Sequence, residues 1–170
     1  MIQSKINYYE IPGKSILNQD LIDLIGNSDP WISYYYFNLK SVSYDLLSKD
    51  PFFQWLNSRY QFQTGILRSD PYTCYDWHVD TLRKVGINLL INTDVRSACL
   101  FSRNKQQIVF DIEELKYQPN TYYLFNTQIL HSVYNFENTR YLLSVEFIKD
   151  STNLSFNQLM EDIDKNYRLT

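Results

Sequence analysis

Residues 60–92 have the sequence YQFQTGILRSDPYTCYDWHVDTLRKVGINLLIN, which indicates the fold class more clearly than any other part of the chain. Three segments of it, 60–67, 72–79 and 85–91, are rich in the β-branched and aromatic residues that favour strands. The break at Ser69-Asp70-Pro71 carries residues typical of turns. The stretch therefore predicts successive β-strands with no helix between them.

The same pattern continues towards the C-terminus. Further strands are predicted, with turn-forming residues between them, over 98–102, 107–111, 121–125, 130–136 and 141–148. Short strands with regular turns and no intervening helices are typical of a sandwich, a barrel or a jelly roll. The aromatic share of 16% also favours β structure.

The segments on either side of these strands predict helices. Leu21 and its apolar neighbours form a helical stripe that ends at Gly26-Asn27. Pro51 suits the first position of a further helix, with Asp50 as its cap, and Ser155 suits the cap of a last helix.

One domain over residues 1–170 is expected, since the chain has 170 residues and no linker-like segment. Its β core is predicted at about 60–148, with a helical cover at about 15–58 and 155–166. Within the first cover segment, the aromatic-rich stretch 31–39 predicts a strand. The expected fold class is mainly β with flanking helices.

Charge and hydropathy limit the possible partners. The net charge is −3, and no cluster of basic residues is longer than the pair Arg83–Lys84, so neither nucleic acid nor an anionic membrane is predicted as a partner. No apolar run approaches the ~18 residues of a membrane span. The first residues lack the apolar core of a signal peptide, which leads us to expect a cytoplasmic protein. The composition does not indicate an oligomeric state.

The chain contains only two histidines, and both lie in predicted strands. His78 and Asp80 are two residues apart, so on a strand their side chains point to the same face. His131 would have to approach them from another strand. Two histidines and one carboxylate on one face of an octahedron leave three positions open, which is the ligand set associated with oxygen-activating Fe(II). His78, Asp80 and His131 are therefore the candidate metal ligands and the candidate catalytic centre.

Arg140 is a further candidate. It follows His131 after a predicted turn, so a returning strand would bring it alongside the strand of His131. A guanidinium inside a barrel is costly unless it meets an anion, and a carboxylate bound through two hydrogen bonds would satisfy it. The alternative is a surface salt bridge with Glu137 or Asp76.

These residues resemble the pattern of the Fe(II)/2-oxoglutarate-dependent dioxygenases: His78-Val-Asp80, the distant His131, and then the basic residue Arg140. The surrounding sequence is similar too, with Gly65-Ile-Leu-Arg before the first ligands and Arg140-Tyr-Leu-Leu-Ser-Val-Glu-Phe after the last. The match covers about residues 60–148. Within the superfamily it is most similar to small aspartyl/asparaginyl or prolyl hydroxylase-like members.

The resemblance implies a double-stranded β-helix of the jelly-roll or cupin-like type with Fe(II) as the metal. It also implies 2-oxoglutarate and O2 as co-substrates, succinate and CO2 as products, and hydroxylation of a peptide side chain or a small metabolite. Arg140 would bind the far carboxylate of 2-oxoglutarate. Many relatives place a hydroxyl two residues after this arginine, where this chain has Leu142.

Other hydroxyl groups are therefore candidates for assisting Arg140, and three residues near the metal ligands are candidates for touching substrate. The assisting candidates are Ser144, Tyr72, Tyr75 and Tyr123. The substrate candidates are Trp77, Arg83 and Asn88.

Two rival interpretations stay open at the level of sequence. One is a cupin-like metalloenzyme that uses the same three ligands without 2-oxoglutarate, which an outward-pointing Arg140 would favour. The other is a non-catalytic jelly-roll binding protein in which the histidines and the aspartate have no metal.

Overall fold

The computed structural model describes residues 6–102, 111–148 and 153–167. Its strands are β1 (Tyr8–Glu10), β2 (Ile32–Tyr34), β3 (Phe37–Ser41), β4 (Phe62–Ser69), β5 (Thr73–His78), β6 (Gly86–Leu90), β7 (Ser97–Ser102), β8 (Ile112–Glu114), β9 (Tyr123–Phe125), β10 (Leu130–Asn135) and β11 (Arg140–Phe147). Its helices are α1 (Asn18–Gly26), α2 (Tyr44–Leu47), α3 (Pro51–Arg59) and α4 (Phe156–Asn166). The strand predicted over 107–111 falls, except for Asp111, outside the described residues.

The strands form two antiparallel sheets. The larger has seven strands in the order β1-β9-β6-β11-β4-β3-β2, and the smaller has four in the order β5-β10-β7-β8. Strands alternate between the sheets from β4 to β7 and again from β8 to β11, since β5, β7, β8 and β10 belong to the smaller sheet while β4, β6, β9 and β11 belong to the larger. This arrangement is the jelly roll, so the predicted fold class is confirmed.

Side-chain alternation along β11 separates the two faces of the larger sheet. Leu143, Val145 and Phe147 belong to the main buried cluster, which also contains apolar residues of α1, α3 and α4. Arg140 and Ser144 point to the other face, where they line a cavity. The helices therefore cover the outer face of the sheet, and the inner face is left for the candidate site.

The predicted helix caps are present. Asp50 accepts a hydrogen bond from the backbone N–H of Phe52 at the start of α3, and its other oxygen accepts one from the hydroxyl of Tyr122, 2.9 Å away. Ser155 forms a reciprocal capping box with Gln158 at the start of α4. These contacts hold two of the covering helices in place.

The single strand predicted over 31–39 is wrong. Residues Ile32–Tyr34 and Phe37–Ser41 pair with each other as an antiparallel hairpin whose turn contains Tyr35. Tyr35 has a φ of 49°, a left-handed conformation that a sequence of consecutive aromatic residues does not suggest. The short strands β1 and β8 were not predicted, because segments of three residues carry too little periodicity. In the described parts of the chain, no helix is long and apolar enough to cross a membrane.

Candidate metal centre

The two histidines lie opposite each other on neighbouring strands of the smaller sheet. His78 is the last residue of β5, and His131 is its partner on β10. Their ring centroids are 4.2 Å apart. Antiparallel pairing thus joins two residues that are far apart in the sequence.

An irregularity in this pairing changes which side chains face the cavity. His131 pairs with His78 and Val133 pairs with Tyr75, so two residues of β5 lie opposite the single residue Ser132. Such a bulge turns residues three apart to the same side. Tyr75 and His78 accordingly both line the cavity, with ring centroids 3.8 Å apart.

Asp80 follows the end of β5 and completes the cluster. Its backbone N–H donates to the carbonyl of Thr127 at 3.0 Å, which fixes the chain just beyond the strand. Its Oδ1 atom lies 3.5 Å from Nε2 of His78 and 3.8 Å from Nε2 of His131. The three potential ligand atoms all lie within 4.8 Å of one another. The structure therefore brings the three predicted ligands together.

Hydrogen bonds orient both imidazoles. Nδ1 of His78 is 2.6 Å from the carbonyl oxygen of Asp76, and Nδ1 of His131 is 2.8 Å from that of Ile129. A carbonyl oxygen can only accept, so each Nδ1 carries the proton and each Nε2 keeps a free lone pair. Nε2 of His78 is buried and has no hydrogen-bond partner among the described residues. Buried lone pairs that converge beside a carboxylate fit a metal cation.

The protonation state of His131 suits the same role. Burial lowers the pKa of His131 to about 4, and this effect outweighs the hydrogen bond to the carbonyl of Ile129, which acts to raise the pKa. The imidazole is therefore neutral at physiological pH and able to coordinate.

Arg83 bonds to the second oxygen of the carboxylate. Its Nε donates to Oδ2 of Asp80 at 2.6 Å, while Oδ1 faces the two imidazoles. The sequence suggested only a contact with substrate for Arg83. The structure also places it on the cavity wall, but its direct partner is the predicted metal ligand.

The group of side chains formed by His78, Asp80 and His131, called the metal cluster below, opens into a cavity. The cavity has a volume of about 350 Å³ and lies between the two sheets. Arg140 lies on its wall and is only 2% exposed. Its Nε has no hydrogen-bond partner, and no carboxylate of the described residues pairs with its guanidinium. The alternative surface bridge to Glu137 is not formed, because Glu137 pairs with Arg96 instead, at 3.0 Å. A buried cation that faces an empty space calls for an anionic ligand.

Two residues beside Arg140 were missed as candidates. The guanidinium lies over the ring of Tyr117, 5.7 Å from the ring centroid, and Cys99 lines the same wall. Burial raises the pKa of Tyr117, so its phenol stays protonated and can donate a hydrogen bond. Tyr117 lies in the connection between β8 and β9, where no strand periodicity indicated its direction.

The predicted helper residues divide into two groups. Ser144 and Tyr75 line the cavity, as does the substrate candidate Asn88, whose buried Oδ1 has no hydrogen-bond partner among the described residues. Tyr72 does not line the cavity: it lies in the turn before β5 and is 82% exposed. Tyr123 does not line it either, since it is buried in a neighbouring apolar cluster and its hydroxyl accepts from the backbone of Gln118. The helper roles of these two tyrosines stay predictions that their placement does not support.

Trp77 does not line the cavity either, because it is the neighbour of His78 in β5 and neighbouring side chains of a strand point to opposite faces. The substrate role predicted for it stays a prediction that this placement does not support. Instead, the hairpin contributes Tyr34, Tyr35 and Phe37 to the lining. Its sequence is conspicuously aromatic, but only the turn at Tyr35 places these rings near the metal cluster.

Comparison with known proteins finds similarity at the level of structure and not of sequence. No protein-family model matches the sequence, and no curated protein gives a match. An oxidoreductase of the 2OG-Fe(II) oxygenase family from Burkholderia pseudomallei has a TM-score of 0.60 at 11% identity, over 84% of this chain and 84% of that chain. A prolyl-4-hydroxylase from Pseudomonas putida has a TM-score of 0.60 at 11% identity, over 83% of this chain and 91% of that chain.

A third similar structure is a prolyl hydroxylase from Trichoplax adhaerens, solved with a peptide fragment of the hypoxia inducible factor oxygen degradation domain. Its TM-score is 0.60 at 13% identity, over 85% of this chain and 84% of that chain. At these low sequence identities, the comparison shows a shared fold and nothing more. The chain therefore has the jelly-roll fold seen in this 2OG-Fe(II) oxygenase family member and in these prolyl hydroxylases.

Proposed function

We propose that this protein is an Fe(II)- and 2-oxoglutarate-dependent oxygenase that hydroxylates a peptide side chain or a small metabolite. One observation carries the proposal: the buried, unpaired Arg140 lines the same cavity as the cluster of His78, Asp80 and His131. A metal cluster alone fits many enzymes, and an arginine alone fits any anion. Their occurrence in one cavity fits a co-substrate that chelates iron at one end and carries a carboxylate at the other.

The three ligands fit Fe(II) better than a structural zinc ion. Structural zinc sites are closed by four protein ligands, whereas the described residues offer three here, beside an open cavity. Bound there, Fe(II) would supply the activation of O2. The protein keeps the imidazole of His131 neutral, directs the Nε2 atoms of both histidines to one point, and adds one carboxylate oxygen.

Arg140 would bind the far carboxylate of 2-oxoglutarate. The guanidinium can form two parallel hydrogen bonds with a carboxylate, and burial strengthens such a pair by excluding water. Tyr117, Asn88 and Ser144 offer further polar atoms in the same cavity. Tyr117 would share the helper role for which the sequence offered Ser144, Tyr72, Tyr75 and Tyr123 as candidates.

The side of the cavity formed by the hairpin is left for the primary substrate. Tyr34, Tyr35 and Phe37 form an aromatic wall there, next to Tyr75 and the metal cluster. Aromatic walls bind apolar and planar groups well and tolerate polar groups at their rim. A peptide side chain fits this description, and the Trichoplax relative was solved with a peptide.

The rival without 2-oxoglutarate loses its main support. That rival was favoured by an outward-pointing Arg140, whereas the structure buries this side chain against the cavity. A protein that needs no organic anion would leave a buried cation without a partner, which is energetically costly.

The decisive experiment is to measure succinate formation from 2-oxoglutarate with and without Fe(II). The purified protein should convert 2-oxoglutarate slowly when iron is present and faster when a substrate from a peptide and amino-acid library is added. Oxidised product should then form in step with succinate. No iron-dependent succinate formation under any of these conditions, in protein shown to bind Fe(II), would contradict the proposed function.

A further inference from the structure

The carboxylate of Asp80 has its two oxygens in different surroundings. Oδ1 faces Nε2 of both imidazoles, at 3.5 and 3.8 Å. Oδ2 accepts a hydrogen bond from Nε of Arg83 at 2.6 Å. Both side chains of this ion pair are largely shielded, with 14% of Asp80 and 27% of Arg83 exposed.

The first residue of β6 leaves room for the guanidinium. A Cβ atom added to Gly86 would lie 3.3 Å from Nη1 of Arg83 and 3.5 Å from the carbonyl oxygen of Val145. The first distance is tighter than ordinary van der Waals contact, so a side chain at this position would require the guanidinium to shift by a few tenths of an ångström. The absence of a side chain at Gly86 thus lets the guanidinium keep its present position.

The backbone on both sides of the pair is fixed by one turn. The hydroxyl of Thr127 donates to the carbonyl of Arg83 at 2.7 Å. The side-chain amide of Gln128 lies 3.0 Å from the carbonyls of both Asp80 and Arg83. The same turn leads into His131, so Asp80, Arg83 and His131 share one support.

From these contacts, we propose that Arg83 is a positioning residue that holds Asp80 as a one-oxygen ligand of the metal. A carboxylate with both oxygens free can take two coordination positions, and one whose second oxygen is held by an arginine takes one. Under the proposed function, a second bound oxygen of Asp80 would occupy one more of the six octahedral positions around the metal. With only one bound oxygen, the two imidazoles, Asp80 and a chelating 2-oxoglutarate would leave a single position for O2. The inference rests on the metal site of the proposed function and does not depend on 2-oxoglutarate.

The test is to measure the affinity of the full chain for Mn(II) alone, by titration calorimetry without 2-oxoglutarate. The Arg83→Ala variant should bind Mn(II) about 10–100-fold more weakly than the wild type, the range typical for the loss of a group that orients a metal ligand. Arg83→Lys, which keeps a donor and the charge, should recover more of the affinity than Arg83→Gln. An Arg83→Ala variant that is folded and keeps the wild-type affinity overturns the proposal.

A double-mutant cycle with Gly86 separates positioning from general stability. Gly86→Ala should weaken Mn(II) binding by displacing the guanidinium, and the double variant with Arg83→Ala should be no weaker than Arg83→Ala alone. Additive losses would instead show that Gly86 acts independently, and would overturn the clearance argument. Arg68→Ala is the matched control, because Arg68 forms a similar short-range pair with Asp70, at 3.0 Å, away from the metal cluster. It should leave the Mn(II) affinity unchanged.

A crystal structure of the Mn(II)-loaded wild type completes the test. Only Oδ1 of Asp80 should lie at bonding distance, with Oδ2 still paired to Arg83, and coordination by both oxygens overturns the proposal. The failure of the proposed function is distinguishable from this failure. If the wild type binds no Mn(II), both the proposed metal site and this role of Arg83 are contradicted. If Arg83→Ala binds Mn(II) weakly and the wild type does not turn over 2-oxoglutarate, only the proposed oxygenase function is contradicted.

Discussion

The guanidinium of Arg140 lies over the ring of Tyr117, 5.7 Å from the ring centroid, and has no carboxylate partner among the described residues. A buried cation without a counter-ion costs folding free energy, so its presence suggests selection for a ligand. The buried charge of Arg140 therefore lowers stability while serving a binding role, and both effects can be measured on one variant.

Replacing Arg140 by Met should uncouple these two effects. The ligand-free variant should be at least as stable as the wild type, since a side chain of similar length replaces the unpaired charge. With Mn(II) present, 2-oxoglutarate at 100 times its Kd should stabilise the wild type by about 2.7 kcal/mol and the variant hardly at all. Thermal unfolding with and without 2-oxoglutarate measures both effects. A variant that keeps the wild-type shift would show that Arg140 does not bind the co-substrate.

Removing a metal ligand should abolish iron-dependent chemistry. His78→Ala and Asp80→Ala should each lose succinate formation, because two remaining ligands hold Fe(II) too weakly. Treatment of the wild type with a chelator should have the same effect, and added Fe(II) should restore turnover only in the wild type. Undiminished consumption of 2-oxoglutarate in either variant would show that the metal, if needed, binds elsewhere.

The two tyrosines with left-handed backbone form a matched pair for testing the aromatic wall. Tyr35 lines the cavity at φ 49°, whereas Tyr72 is 82% exposed outside it at φ 57°. Tyr72→Gly should raise the free energy of unfolding by about 1 kcal/mol, because glycine adopts this conformation without strain. Tyr35→Gly should gain less, since it also loses an edge-to-face contact with Tyr34 at 4.8 Å.

The two substitutions should also differ in their effects on catalysis, and here Tyr35→Gly should have the larger effect. Tyr35→Gly should raise the KM for a substrate found in the screen while leaving the KM for 2-oxoglutarate unchanged. Tyr72→Gly should change neither constant. Equal effects of the two substitutions on the substrate KM would argue against a substrate-binding role for the hairpin.

Asp162 should make stability depend on pH in the acidic range. Partial burial acts to raise its pKa, but hydrogen bonds from Arg59, Tyr60 and Asn166 outweigh this and hold the pKa below the ordinary 3.8. The ionised carboxylate joins α4 to α3, with Arg59 donating at 2.6 and 2.7 Å. Because the folded-state pKa is the lower one, the stabilisation is present above pH 3.8 and is lost as the pH falls through the folded-state value.

Asp162→Asn tests this dependence. At neutral pH it should lower the free energy of unfolding by about 1 kcal/mol, the scale of a partly exposed charged hydrogen-bond network. The difference from the wild type should shrink below pH 4 in urea titrations. A difference that is constant from pH 3 to pH 7 would show that the charge of Asp162 does not contribute.

Much of the architecture followed from local signals. The spacing of His78 and Asp80, the strand patterns around His131 and Arg140, and the helix cap at Asp50 each depend on residues close in the chain. Strand propensity and cap chemistry act over a few residues, so a single sequence carries them. They were sufficient to predict a jelly roll and to name three candidate ligands and an arginine, which the structure places on the wall of one cavity.

Other features depended on how distant strands meet. The bulge that turns Tyr75 to the side of His78, the approach of Arg83 to Oδ2 of Asp80, and the direction of Tyr117 all follow from pairing register and loop path. Register is set by the packing of whole sheets, and a shift of one residue exchanges the two faces of a strand. For that reason the side chains around the metal cluster became known only from the folded chain, while the candidate ligands themselves could be named from the sequence.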